Sequence, residues 1–157
     1  MITAYFAASV RGPLGDQATL GDRQINITAA IEKAHALEKL FPEIDIYVPH
    51  KDEKLWEVGY ETGNITAQDI IDHCLAIVRR SDMFIMASNP DESDGVKQEY
   101  AEAKKYGKAV VPVYASPLNE WPELIKAGIF LANLNIAITI QKQGCEHGES
   151  KAYSGVS

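Results

Sequence analysis

Cysteine is scarce: the 157 residues hold two, Cys74 and Cys145, in no C-x-x-C pair. Neither they nor the four histidines fall at metal-ligand spacing, so a disulfide framework and a zinc site are both excluded, and a reducing, cytoplasmic setting is expected. Long apolar runs are missing as well. No stretch approaches 18 consecutive apolar residues, and no basic segment followed by an apolar one opens the chain, so neither membrane spanning nor export is expected. Positive charge is in deficit. Fifteen Lys and Arg stand against 22 Asp and Glu, a net charge of −7, which argues against broad binding to a nucleic acid polymer or an anionic membrane while leaving room for one cationic pocket. Two phosphate-binding signatures are lacking too: there is no G-x-x-x-x-G-K-[ST] and no G-x-G-x-x-G. Internal repeats and a second domain are not seen. What remains, 46% hydrophobic residues in a chain of this length, suits one compact domain acting on a small molecule.

The stretch 81–114 organises the rest. An apolar run through Met83-Phe-Ile-Met86 meets a turn-rich Asn89-Pro-Asp-Glu-Ser-Asp-Gly95. A segment of helical composition follows to Tyr106, then Gly107-Lys108 and a second apolar run from Ala109. That order predicts a βαβ unit whose parallel strands are buried on both faces. Ligands of open α/β sheets bind beyond the carboxyl ends of the strands, which places chemistry in the loop 88–95 and the first helical turn after it, where Glu99 is expected. A carboxylate there would be held ionised by free backbone N–H groups and the helix dipole.

The remaining segments fit the same plan. Residues 2–8 form an apolar first strand that contains Tyr5 and ends in the glycine-rich loop Ser9-Val-Arg-Gly-Pro-Leu-Gly15. Ser9 offers a hydroxyl, Arg11 a planar fork of donors, and Gly12 close backbone approach. A helix over 22–40 with Ile25, Ile27, Ala30, Ile31, Ala34, Leu37 and Leu40 on its buried stripe leads to a second strand over 44–48, and His50 lies at that strand's carboxyl end. Residues 51–64 show no strong period and read as a loop with a short helix over the site. Thr66 with Asp69 three residues on is an N-cap signal for a helix ending near Arg80, with Asp72 in its second turn. A short helix over 123–127 stopped by Gly128, a fifth strand over 135–140, and a mobile tail over 143–157 complete the reading. The expected fold is a flavodoxin-like (Rossmann-like) α/β sandwich over 1–142, a parallel sheet of about five strands with helices on both faces.

Tyr5-Phe-Ala-Ala-Ser-Val-Arg-Gly12 together with Ser93-Asp-Gly-Val-Lys-Gln-Glu99, and the following Ala103 and Gly107-Lys108, resembles the nucleoside 2-deoxyribosyltransferase superfamily, closest to its 2'-deoxynucleoside 5'-phosphate N-hydrolase branch. The likeness runs in order to about Gly128, with specificity in the two motifs. It implies that Glu99 is the nucleophile on the anomeric carbon and that Tyr5 lies against its carboxylate. Ser9, Arg11, Gly12, Ser93 and Gly95 would hold a 5'-phosphate, and His50 would be the substrate-binding histidine after the second strand. The family's base-assisting Asp falls nearer Cys74 here, and Asp72 is taken for that role. A partner-subunit Ser of the phosphate site falls near Glu123, where a carboxylate would repel phosphate, so deoxynucleosides stand beside their 5'-monophosphates as substrates. The resemblance implies a homodimer or higher homo-oligomer, for which Trp121, Ile125 and Phe130 are the apolar candidates, and it requires no metal or organic cofactor. Two other functions fit the same residues: a deoxyribosyltransferase that passes the sugar to an acceptor base, and a non-catalytic nucleotide-binding module.

Overall fold

The computed structural model describes residues 1–149. Four strands, β1 (Ile2–Ala7), β2 (Ile44–Tyr47), β3 (Met83–Met86) and β4 (Ala109–Pro112), form one parallel sheet in the order β2-β1-β3-β4. Five longer helices accompany them: α1 (Leu20–Leu40), α2 (Glu53–Glu61), α3 (Ala67–Arg80), α4 (Asp94–Lys105) and α5 (Trp121–Glu149). The architecture is α/β and compatible with a Rossmann-like fold.

Alternation along each strand divides the apolar residues between two cores. Ile2, Ala4, Phe6, Met83, Ile85, Ala109 and Val111 face a core with α1 and α5, while Tyr5, Ala7, Phe84 and Met86 face another with α3 and α4. Helices therefore cover both faces of the sheet. In α1 the buried stripe is Ile27, Ala30, Ala34 and Leu37. Ile25 and Leu40, expected on that stripe, are 68% and 60% exposed, because at about 100° per residue Ile25 points to the face opposite Ile27 and Leu40 lies well off the line through Ala30, Ala34 and Leu37. The helix also starts earlier than the apolar pattern suggests, at a capping box in which Thr19 Oγ1 accepts from the Asp22 N–H and Asp22 Oδ2 accepts from the Thr19 N–H. The cap expected at Thr66 has the same form, with Asp69 as its reciprocal acceptor.

The C-terminal third departs most from the expected layout. The sheet has four strands and not five, since 135–140 lies in the middle of α5. Isoleucines at alternate positions there imitate a strand, but the helix that begins at Trp121 runs on through Gly128, Asn133 and Asn135, and a short apolar run carries no decisive period by itself. Gly128 does not stop a helix either. A Cβ at that position would lie 2.3 Å from Val111 Cγ2 and 2.7 Å from Met83 Sδ, so the glycine lets α5 press directly on β3 and β4. Residues 143–149, expected in a mobile tail, continue the helix, and 150–157 lie outside the described residues. By length and composition Leu118–Cys145 also meets the requirements of a membrane-crossing helix, although Asn133, Asn135 and Thr139 break its apolar run.

Candidate active site

The sheet order reverses direction between β1 and β3, and the space beyond the carboxyl ends of those two strands is the crevice where open α/β sheets take ligands. A cavity of about 990 Å³ opens there. Its wall draws on the loop after β1, the start of α1, the turn after β2, α2, the first half of α3 and the start of α4.

Glu99 lines this cavity from α4. Ser93 caps the helix, its Oγ accepting from the Val96 N–H, so Glu99 stands in the second turn rather than the first. Burial, not the helix dipole, then governs its charge: the surrounding protein raises the carboxyl pKa to about 7, against an opposing, smaller effect of the Tyr5 hydrogen bond. Tyr5 Oη donates to Glu99 Oε1 at 2.6 Å. The phenol is fully buried in β1, stacked on Phe84 with ring centroids 5.7 Å apart and flanked by Tyr47 at 5.9 Å. Burial first, and the neighbouring Glu99 charge second, hold its pKa well above the ordinary value, so it remains a donor. Residues 94 apart in sequence thus meet because the centre of the sheet and the first turns of α4 face one another.

Of the other residues singled out by sequence, Ser9, Arg11, His50, Ser93 and Gly95 line the same cavity. Ser9 is set by two bonds: its N–H donates to Ser88 Oγ at 2.9 Å, and its Oγ accepts from the Gly12 N–H at 3.1 Å. Gly12 stands behind the wall with φ +57°, and a Cβ on it would come within 2.9 Å of Asn26 Nδ2, so only glycine suits the turn. Arg11 is ion-paired with Asp16 at the exposed rim. His50 is 8% exposed, with Nε2 2.7 Å from the Ala8 carbonyl. A carbonyl only accepts, so Nε2 carries the proton; burial lowers the pKa, and Nδ1 is an acceptor with no partner among the described residues.

Asp72 is not brought to the site. It is exposed on the outer face of α3, where its Oδ1 accepts from Gln68 Nε2 at 2.9 Å, because cavity-facing positions of that helix fall at Ile70, Ile71, Cys74 and Leu75. Glu123 is also remote, at the exposed start of α5 and paired with Lys126 at 2.6 Å.

Three residues absent from the sequence reading stand on the cavity wall, where Asp72 does not. Glu53 and Glu57 on α2 and Arg23 on α1 all line the cavity. Burial, then the charge of Glu57, raise the Glu53 pKa, and Arg23 opposes them. Arg23 Nε and His50 Nδ1 are the buried side-chain polar atoms without a hydrogen-bond partner among the described residues, and both residues belong to this one wall. Cys74 lies among Tyr5, Glu99 and Glu53; burial pushes its thiol up to about 11, so it is a neutral wall group. The 51–64 segment, which lacks a clear period, gave no signal for Glu53, although Trp56 and Tyr60 on the same helix do mark it as a covering element. No family model, curated protein or solved structure matches this chain.

Proposed function

We propose that the protein hydrolyses the N-glycosidic bond of a 2'-deoxynucleoside or its 5'-monophosphate, giving the free base and deoxyribose or deoxyribose 5-phosphate, as a member of the nucleoside 2-deoxyribosyltransferase superfamily with a flavodoxin-like fold. The hydrogen bond from buried Tyr5 to Glu99, a residue that lines a cavity beyond β1 and β3, carries this reading. It joins the two sequence motifs, and a carboxylate held in place beside a space large enough for a nucleoside is what displacement at an anomeric carbon requires.

Ionised Glu99 attacks the anomeric carbon; the bond to the base breaks and its electron pair leaves with the base. Glu53, whose raised pKa favours the protonated form, donates a proton to the departing base in the role first given to Asp72. Tyr5 holds the Glu99 carboxylate by one oxygen. Water, giving a proton to the ionised Glu53, then attacks the anomeric carbon, breaking the ester bond to Glu99 and restoring the free carboxylate and the protonated Glu53. These steps use no metal or organic cofactor.

The wall also favours one substrate form. Seven carboxylates, on Asp16, Glu53, Glu57, Asp91, Glu92, Asp94 and Glu99, line the cavity against the guanidiniums of Arg11 and Arg23, and Arg11 is already engaged by Asp16. That balance weighs toward the unphosphorylated deoxynucleoside.

Chromatographic detection of free base from a panel of deoxynucleosides and their monophosphates tests the proposal. Wild type is expected to release base, Glu99→Ala to lose release by at least about a hundredfold, and Glu53→Gln to slow it where Asp72→Asn does not. Faster or redirected turnover with an added free base would identify a transferase. No release from any substrate, with or without acceptor, would leave the nucleotide-binding module.

A further inference from the structure

Arg23 stands on the cavity wall without a counter-charge. Arg11, the other guanidinium of that wall, is ion-paired with Asp16, whereas Arg23 forms no salt bridge among the described residues, although seven carboxylates line the same cavity. Its Nε is covered by protein and has no hydrogen-bond partner, so the Nη groups are the donors left to meet a ligand. A guanidinium withdrawn from water in this way is destabilising until an acceptor completes it. Its backbone is fixed in the first turn of α1, where the Arg23 N–H donates to the Thr19 carbonyl at 3.0 Å. Glu53 on α2 stands close enough for the Arg23 charge to act on its carboxyl, and Trp56 and Tyr60 add flat aromatic surface from the same helix.

On the reading that the substrate is a deoxynucleoside, we infer that Arg23 and Glu53 select its base, which must present two adjacent acceptors: an exocyclic carbonyl oxygen and the ring nitrogen beside it. Guanine and hypoxanthine offer that pair as O6 and N7, and cytosine offers it as O2 and N3. Adenine carries an amino donor beside both N7 and N1, and thymine carries an N–H between its two oxygens, so each would set donor against donor. An Nη–H of Arg23 donates to the oxygen, and the protonated Glu53 faces the ring nitrogen. As the bond to the sugar breaks, its electron pair stays with the base, the Glu53 proton passes to the ring nitrogen, and the carboxylate left on Glu53 lies near the Arg23 guanidinium. A 5'-phosphate suits Arg23 less well, because Glu53 and Glu57 on the same wall would repel a second anion.

Binding to Glu99→Gln, which cannot form the glycosyl ester, separates this inference from turnover. Calorimetric titration with deoxyguanosine, deoxyinosine, deoxycytidine, deoxyadenosine and thymidine is expected to show an adjacent-acceptor base held about 10–100-fold tighter than the last two. Preference for deoxyguanosine and deoxyinosine identifies the purine edge, and preference for deoxycytidine the pyrimidine edge. Adding Arg23→Met, which keeps the length without a donor, should erase the preference and leave deoxyadenosine and thymidine unchanged, while Arg23→Lys restores part of it. An unchanged circular dichroism spectrum checks that each variant is folded. Equal binding of all five, a preference that survives Arg23→Met, no binding of any, or a loss in Arg23→Met confined to 5'-monophosphates whatever their base would each overturn the inference. Base release by wild type without this preference would sink it and leave the hydrolase reading standing; the preference without base release would support it as the selectivity of a binding module.

Discussion

At the scale of single residues, the site rests on a competition over the charge of Glu99. Burial raises its carboxyl pKa to about 7, and the Tyr5 hydroxyl pulls it back by stabilising the anion. In the proposed reaction the ionised form attacks, so activity should fall as pH drops below about 7. Tyr5→Phe removes the donor that favours the anion. The acid limb of the rate profile is then expected to move up by about one pH unit, with turnover near neutrality reduced by roughly ten- to a hundredfold. Rates across pH 5 to 9 for both proteins check this; an unmoved limb would mean that Tyr5 does not act through Glu99. The residue types were legible beforehand because Tyr5, Ser9, Arg11 and Glu99 occupy two recognisable motifs. The direction of the Glu99 shift was not, since a dipole is a local property of one helix and desolvation depends on everything folded around it.

Elements show the same division. The cap at Thr66 is a local signal, three residues wide, and the structure reproduces it. Gly128 is the opposite case, a residue whose meaning lies on another element. Read along the chain it looks like a helix stop; in three dimensions it is the point where α5 touches Val111 and Met83. Gly128→Ala should gain from helix propensity, about 1 kcal/mol, and lose more to the overlap with the sheet, for a net destabilisation of about 1–3 kcal/mol. Urea unfolding of wild type and variant measures the balance. The misassigned strand over 135–140 and the missed Glu53 share one cause, since weak or ambiguous periodicity is resolved only by what an element packs against.

For the whole molecule, the buried acid ties stability to pH. The Glu99 pKa is raised from an ordinary 4.5 to about 7 on folding, so between those values the folded state holds a proton that the unfolded state has released. Its contribution to stability is fully present below about pH 4.5 and is lost as pH rises through 7, in total about 3 kcal/mol. Glu99→Gln keeps the shape without the charge. Its melting temperature should match wild type near pH 4.5 and exceed it by roughly 5–10 °C at pH 8; equal melting at pH 8 would show that the carboxylate is solvated in the fold. The sequence by itself determined the α/β class and the capped start of α3, because alternation, capping and turn chemistry act over a few residues. Only the tertiary structure decided that Asp72 faces outward, that Glu53, Glu57 and Arg23 join the cavity, that four strands suffice, and that α5 continues past the sheet. Each of those depends on which surfaces the folded chain buries together, a property that no local window contains.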